Sequence, residues 1–190
     1  RDAETLIELA DEHGFAQHSA QGRMLRGWAL ARSGEPEAGL AEVEHGISAY
    51  QATGAQVVGV YAVLRAESNQ LSGRFADALR IVDEALADVS QNEDKGAIPE
   101  LLRLKGELLG RASQPDQADQ IFRQAIAEAS DQQAKSYELR ATTSLARLLA
   151  SQGRRGEARA MLAEISRWFT EGFDTADLKD AKALLDELSA

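Results

Sequence analysis

The sequence contains no cysteine, only three prolines and few aromatic residues, which make up 5% of its 190 residues. The lack of cysteine excludes disulfide bonds, thiolate metal sites and a cysteine nucleophile, and it fits the reducing cytoplasm where we expect the protein. There is no apolar run of about 18 residues, so no transmembrane helix is expected, and no secretory signal peptide is visible. Because the chain begins with Arg1 and not with Met, we interpret it as a piece of a longer protein.

The net charge is −10, from 21 basic and 31 acidic side chains. An acidic protein repels nucleic acid and anionic lipid, so neither a nucleic acid nor a membrane is expected as a partner. Only residues 101–150 depart from the trend, with 7 basic and 6 acidic side chains. Abundant alanine with so few prolines and aromatics is typical of an all-helical chain.

Residues of the same type recur every 39 or 40 positions, which indicates an internal repeat. A small residue opens each unit at Gly27, Ala66, Gly106 and Ala146. A turn residue follows at Gly34, Gly73, Ser113 and Gly153, and a second small residue at Gly39, Ala78, Ala118 and Ala158. A larger apolar residue stands four positions later, at Val43, Val82, Phe122 and Leu162.

Each unit therefore reads as two antiparallel helices that meet closely at the small residues, with the larger residue filling the gap. Gly or Ser ends the first helix because it can leave the helical backbone region. The apolar periodicity predicts ten helices, at 2–13, 20–33, 36–53, 56–72, 75–91, 98–110, 115–130, 134–151, 155–170 and 175–188.

This pattern resembles the tetratricopeptide repeat (TPR), although the period is longer and the usual first-helix Trp and Tyr are mostly missing. The resemblance implies an all-α, right-handed superhelical solenoid of helix pairs that ends in a capping helix. We expect one domain over 1–190, with a half repeat at 1–16, repeats at about 17–55, 56–95, 96–134 and 135–172, and the cap at 174–190.

The end of the chain reads "WFTEGFDTADLKDAKALLDEL". Leu178, Ala181, Leu185 and Leu188 predict one apolar stripe on a capping helix. We expect Trp168, Phe169 and Phe173 to fill the corner between the last repeat and this cap, since aromatic side chains are usually buried. An aromatic pocket for a ligand is the alternative.

The stretch "SLARLLASQGRR" followed by "WFTEGFDTADL" resembles the C-terminal end of a bacterial family of multidomain signalling proteins. Those proteins join a class III adenylate/guanylate cyclase domain to a P-loop ATPase and then to TPR-like repeats. The resemblance implies a regulatory arm of such a protein. Neither the cyclase metal-binding aspartates nor the ATPase phosphate loop lies in this sequence.

The chain shows no catalytic motif, so we expect no enzyme activity, no cofactor and no metal. "GRRGEA" and "GRFADA" lack the Lys-Ser/Thr end of a phosphate loop, and no His-Glu-x-x-His or Gly-x-Ser-x-Gly motif occurs. The histidines are His13, His18 and His45. His13 and His45 both follow Glu and read as polar residues near the ends of second helices, with a metal site across two repeats as the alternative.

The first helices of the repeats should line an inner groove, as the TPR resemblance implies. The predicted groove residues are Met24, Trp28, Arg32, Val60, Glu67, Arg103, Glu107, Arg140 and Arg147. Trp28 would anchor an apolar side chain, and the arginines would clamp a carboxylate or phosphate of a partner peptide. In the alternative interpretation, Arg103 and Glu107 simply pair on the helix surface, and Trp28 belongs to the core.

We therefore expect a non-catalytic protein–protein interaction module, with a protein, a peptide or another domain of the same chain as its partner. The alternatives are an effector-sensing domain of a transcriptional regulator and a general scaffold. Self-association through an apolar N-terminal end, giving a homodimer, is a further alternative.

Overall fold

The computed structural model of the chain describes residues 1–57, 59–91 and 95–189. Over these residues it contains ten α-helices and no β-strand. The helices are α1 (Asp2–Glu12), α2 (Ala16–Arg32), α3 (Pro36–Ala52), α4 (Gly59–Leu71), α5 (Phe75–Gln91), α6 (Ile98–Arg111), α7 (Pro115–Asp131), α8 (Lys135–Ser151), α9 (Arg155–Ser166) and α10 (Ala176–Ser189). None of them is long and apolar enough to cross a membrane.

The ten helices confirm the all-α fold predicted from the repeat, and most of their ends fall within three residues of the predicted ones. The two largest differences are the start of α2, at Ala16, and the end of α9, at Ser166. The chain divides into two compact units, Arg1–Ala97 and Ile98–Ala190. The first contains α1–α5 and the second contains α6–α10.

In the first unit, α2 and α3 pack so closely that only glycine fits where they cross. A Cβ atom built on Gly39 would lie 2.4 Å from the backbone nitrogen of Ala31 and 2.4 Å from the carbonyl oxygen of Gly27. Next to this crossing, Val43 is completely buried and packs with Met24 and Ile47 in one apolar cluster. The small-then-large pattern of the sequence therefore marks a helix–helix contact, as predicted.

In the second unit, the equivalent crossing is between α6 and α7. The ring of Phe122 lies against Gly106, where an added Cβ would come within 2.6 Å of two ring carbons. Phe122 is only 3% exposed and belongs to a core that continues through α8 and α9 into the last helix. Here an aromatic ring fills the space that Val43 fills in the first unit.

The last helix, α10, covers the apolar end of the second unit and packs against both α8 and α9. Leu178, Ala181, Leu184 and Leu188 are its buried residues, whereas Leu185 is half-buried against the same core. This arrangement confirms the predicted C-terminal capping helix, with Leu184 added to the predicted stripe.

The turn that joins the two helices of each pair has a left-handed residue at the repeated turn position. The backbone φ angle is +105° at Gly34, +72° at Gly73 and +80° at Gly153. Ser113 occupies the same position with φ of +59°, so serine adopts here a conformation that glycine adopts at less cost. The left-handed turn therefore recurs with the same spacing of 39 or 40 residues as the sequence repeat.

The predicted burial of the C-terminal aromatics was right for one of the three and wrong for the other two. Phe169 packs against the core of the second unit. Trp168 and Phe173, however, are 60% and 62% exposed. Because α9 ends at Ser166, the chain leaves the helix before Trp168, and that side chain no longer follows the apolar stripe of α9.

A network of ion pairs joins α7 to α9 in the second unit. Arg123 contacts Asp119 on its own helix and Glu157 on α9, with 3.0 Å between its Nη2 and Glu157 Oε1. Arg154 closes the network, with its Nη1 3.2 Å from Asp119 Oδ2. Hydrogen bonding to Arg123 lowers the pKa of Asp119 below its ordinary value of 3.8, against an opposing effect of burial.

This network makes stability depend on pH in a defined direction. A carboxyl group with a lowered folded-state pKa stabilises the fold above its unfolded pKa, and it loses that contribution as pH falls through the folded pKa. The variant Asp119→Asn should therefore be less stable than the parent at neutral pH, and the difference should shrink below about pH 4. Urea unfolding over a pH series measures both.

The control for this variant is Asp116→Asn on the same helix. Asp116 is exposed and forms no ion pair within the part of the chain that the structure describes. Asp116 lies in the first turn of α7, so this variant should lose only the small stabilisation of a helix-end charge, with no contribution from an ion pair. A pH-independent loss in Asp119→Asn would mean that the ion pairs of Asp119 do not stabilise the fold.

Candidate functional site

The first helices of the first unit bring three of the predicted groove residues together. Trp28 and Arg32 lie one turn apart on α2, and Glu67 faces them from α4. The indole nitrogen of Trp28 donates a hydrogen bond of 2.7 Å to Glu67 Oε2. Arg32 Nη1 donates one of 2.6 Å to Glu67 Oε1, and its guanidinium lies 5.1 Å from the centre of the Trp28 ring. We name these three residues the Trp28 cluster.

In the Trp28 cluster, Trp28 and Arg32 supply the hydrogen bonds without which the buried carboxylate of Glu67 would destabilise the fold. Glu67 is only 8% exposed, and each of its oxygens accepts one of the two hydrogen bonds. Trp28 is half-buried and packs against the apolar cluster of Met24 and Val43. The Arg32 side chain remains 48% exposed, so it is the member of the cluster that an incoming partner can reach.

The other predicted residues of this unit differ widely in exposure. Met24 is completely buried in the core, so it cannot line a surface groove. Val60 on α4 is 48% exposed, and Leu71 at the end of the same helix is 42% exposed. These two side chains supply exposed apolar area on a first helix of the unit.

In the second unit, the predicted residues form a buried network between α6 and α8. Arg103 donates hydrogen bonds to Glu100, with 2.6 Å from Nη2 to Oε1, and it also pairs with Glu107. Arg140 on α8 reaches the same oxygen of Glu100 at 2.8 Å. Ser144 Oγ, one turn further along α8, donates a hydrogen bond of 2.9 Å to Glu107 Oε1.

Two further ion pairs continue this network to the capping helix. Arg140 Nε lies 4.0 Å from Asp177 Oδ1, and Arg147 pairs with Asp180. The sequence pattern predicted the arginines but gave no acidic partners on α10. Both aspartates lie within the first five residues of α10, a placement that suits the positive end of a helix.

These pairs change the electrostatic character expected of the surface. Each predicted arginine already has a carboxylate of the same unit beside it, so an anionic partner would have to displace an internal acid. Of the three predicted arginines in the second unit, Arg147 is the most accessible, with its side chain 49% exposed, whereas that of Arg103 is 8% exposed. A buried oxygen of Glu100, Oε2, has no hydrogen-bond partner among the described residues.

A separate cavity of about 740 Å³ lies in the first unit, between α3 and α5 and above α4. Its apolar lining includes Ile47, Ala62, Ile81, Ala85 and Val89. Arg65 stands at its edge and is held by two hydrogen bonds, of 2.7 and 2.9 Å, to the carboxylate of Glu44.

His13 follows the end of α1 and His18 lies in the first turn of α2, whereas His45 lies in the middle of α3 and not near a helix end as predicted. The rings of His13 and His18 flank the exposed ring of Phe15, at centroid distances of 6.0 and 5.9 Å. Within the described ranges, no group of three or more His, Cys, Asp or Glu side chains could hold a metal ion.

No family model and no curated protein matches the sequence. Among solved structures, BtubC (BKLC) from P. vanneervenii aligns with a TM-score of 0.72 at 13% identity, covering 99% of this chain and 87% of that one. TPR-like repeats assigned to a kinesin light chain of Podosopora anserina align with a TM-score of 0.63 at 13% identity, covering 88% and 84% of the two chains. The chain therefore has a TPR-like fold.

Proposed function

We propose that the chain is a non-catalytic protein–protein interaction module that binds its partner with the exposed faces of its first helices. The observation that carries this proposal is the TPR-like pairing of helices, since such repeats present their helices to partner proteins. The first helices also carry the reachable side chains already described, which are Arg32, Val60, Leu71 and Arg147.

The chemistry of these side chains indicates what kind of partner would fit. Val60 and Leu71 offer apolar contacts, while Arg32 and Arg147 offer charge that is already balanced by Glu67 and Asp180. In the first unit, a partner segment with apolar anchors and polar flanks suits Val60, Leu71 and Arg32 better than a strongly anionic one, because an anion would compete with Glu67.

We further propose that this partner is another domain of the same polypeptide, in a cyclase-like, ATPase-linked signalling protein of the bacterial cytoplasm. The support for this is the resemblance of "SLARLLASQGRR" and "WFTEGFDTADL" to the end of such proteins. In that setting, the module would act as a regulatory arm. A general scaffold would use the same faces for an unrelated protein.

Site-specific photo-crosslinking in the source cell tests the proposal. A photoreactive amino acid replaces Val60 on α4 or Arg147 on α8, both on first helices. Matched controls carry it at Ala41 on α3 or Gln124 on α7, which are exposed positions of second helices. We expect one defined adduct from the first-helix positions and none from the controls. Adducts of equal yield from all four positions would contradict the assigned surface.

A second candidate function is effector sensing, and the observation that favours it is the cavity between α3 and α5. Its volume of about 740 Å³ lies within the range of small-molecule sites. A ligand that binds only the folded state stabilises it, and the melting temperature rises with the logarithm of the ligand concentration once that exceeds Kd. A metabolite screen by thermal shift, repeated with Ala85→Leu to fill the cavity, would show a hit that the variant abolishes.

A further inference from the structure

The segment between α9 and α10 presents two large apolar side chains to solvent. Trp168 and Phe173 are 60% and 62% exposed, more than any other large hydrophobic side chain that the structure describes. We call residues 167–175 the aromatic corner. Exposed aromatic side chains of this size are enriched at protein interfaces, where tryptophan in particular contributes much of the binding energy.

The backbone of the aromatic corner is held by local hydrogen bonds. Trp168 N–H donates to the carbonyl of Ile165 at 3.1 Å, and Thr175 N–H donates to that of Gly172 at 2.9 Å. The Thr175 hydroxyl also donates to the Gly172 carbonyl, at 2.8 Å. A turn with such bonds at both ends loses less entropy on binding than a loop without them.

The side chain of Trp168 packs against the ring of Phe169. Phe169 packs on the core of the second unit, and its ring meets that of Trp168 edge to face, with 5.1 Å between the centroids. The exposed indole therefore packs on a half-buried ring. This arrangement resembles an anchor residue at an interface more than a loosely attached loop side chain.

The acidic residues around these aromatics lack internal partners, in contrast to those of the first-helix surface. Glu164, Glu171 and Asp174 are exposed, and over the described ranges none of them forms an ion pair. Arg167 is the basic residue among them. With Arg167 counted against Glu164, Glu171 and Asp174, the aromatic corner and the end of α9 beside it combine apolar area with a net charge of −2.

We propose that the aromatic corner is a docking site for a cationic segment of another protein, with apolar side chains on Trp168 and Phe173 and Lys or Arg side chains near Glu171 and Asp174. An indole face also attracts a guanidinium or ammonium group directly. This site is separate from the first-helix surface of the proposed function, because residues 167–175 lie between α9 and α10 and none of them belongs to a first helix.

The negative charge of the aromatic corner disfavours two other binding partners, a second copy of the chain and an anionic membrane. A second copy would bring the same acidic residues against each other, and like charges across an interface are costly. An anionic membrane would be repelled by the same carboxylates. A cationic protein segment is the occupant that gains from both the rings and the acids.

Nuclear magnetic resonance of the whole chain tests this proposal with a built-in control. The chain has two tryptophans, so an amide correlation spectrum contains two indole N–H signals. One belongs to Trp28, which is bonded to Glu67, and the other to the exposed Trp168. Trp28→Phe and Trp168→Phe assign them. The probes are a short amphipathic peptide of Leu, Phe, Lys and Arg, and its counterpart with Glu at every basic position.

We expect the cationic peptide to shift the Trp168 signal and leave the Trp28 signal in place, and the anionic peptide to shift neither. The double variant Trp168→Ala/Phe173→Ala keeps the net charge and should weaken binding by about tenfold or more. The double variant Glu171→Gln/Asp174→Asn should weaken it by several-fold and reduce its dependence on salt.

Four outcomes of the resonance titration would overturn the proposal. These are no shift with either peptide, equal shifts with both, a Trp168 signal that moves with protein concentration alone, and a shift with neutral phosphatidylcholine vesicles but not with the cationic peptide. The last two would identify a second copy or a membrane as the occupant. Unchanged peptide affinity in Trp168→Ala/Phe173→Ala would equally contradict it. None of these results bears on crosslinking from Val60 or Arg147.

Discussion

Replacing Phe122 with alanine should lower the free energy of unfolding by about 3–5 kcal/mol, the usual cost of removing a buried phenylalanine ring. Phe122 is 3% exposed, and its ring rests directly on Gly106, where α6 and α7 cross. Equilibrium unfolding in urea measures the loss.

The matched control is Phe173→Ala, which removes the same ring from a position that is 62% exposed. It should change the free energy of unfolding by less than about 0.5 kcal/mol, as exposed substitutions usually do. Similar losses in the two variants would contradict the assignment of Phe122 to the core of the second unit and the exposure of the aromatic corner.

The second large effect is expected at the α2–α3 crossing. In Gly39→Ala, the added methyl group would meet the Ala31 nitrogen and the Gly27 carbonyl oxygen at 2.4 Å. These are backbone atoms, so the helices themselves would have to move apart. Overpacking of this kind costs about 1–3 kcal/mol, and it should outweigh the gain of about 1 kcal/mol that alanine brings to a helix.

The same substitution at Gly156, Gly156→Ala, should instead increase the free energy of unfolding. Gly156 lies in α9, and a Cβ built there meets no atom within 4 Å. Only the helix propensity changes, so this variant should gain up to about 1 kcal/mol. Thermal unfolding should show a lower melting temperature for Gly39→Ala and a higher one for Gly156→Ala. A stabilised Gly39→Ala would mean that α2 and α3 do not cross as closely as the structure has them.

The fold was predictable because the repeat encodes its own packing. Small residues at Gly27 and Gly39, followed by Val43, describe a close helix crossing without reference to any other part of the chain. The left-handed turn at Gly34 and its counterparts adds an independent signal with the same period. Ten helices followed from these local rules and the apolar stripes.

The surface was less predictable, since it depends on small rotations about a helix axis. Met24 and Arg32 are eight residues apart on α2, a separation that turns a side chain by about 80° around the axis. One end of that stripe, Met24, consequently lies in the core, while Arg32 reaches solvent. Trp28, between them, is half-buried.

The ion partners of the arginines could not be predicted for a different reason. Arg140 and Arg147 meet Asp177 and Asp180 because α10 packs beside α8, and no local sequence rule specifies that neighbour. The exposed Trp168 was missed for the opposite reason, since the apolar pattern of α9 continues past the point where the helix ends at Ser166. Long-range packing decides both outcomes.

The affinity of the crosslinked partner for two matched double variants tests the central claim most directly. Val60→Glu/Arg147→Ala alters the first helices α4 and α8, and Ala41→Glu/Arg123→Ala makes the same charge change on the second helices α3 and α7. Titration calorimetry should show a loss of about tenfold or more for the first variant and little change for the second. Equal affinities, or a loss confined to the second variant, would contradict an interaction module that binds through its first helices.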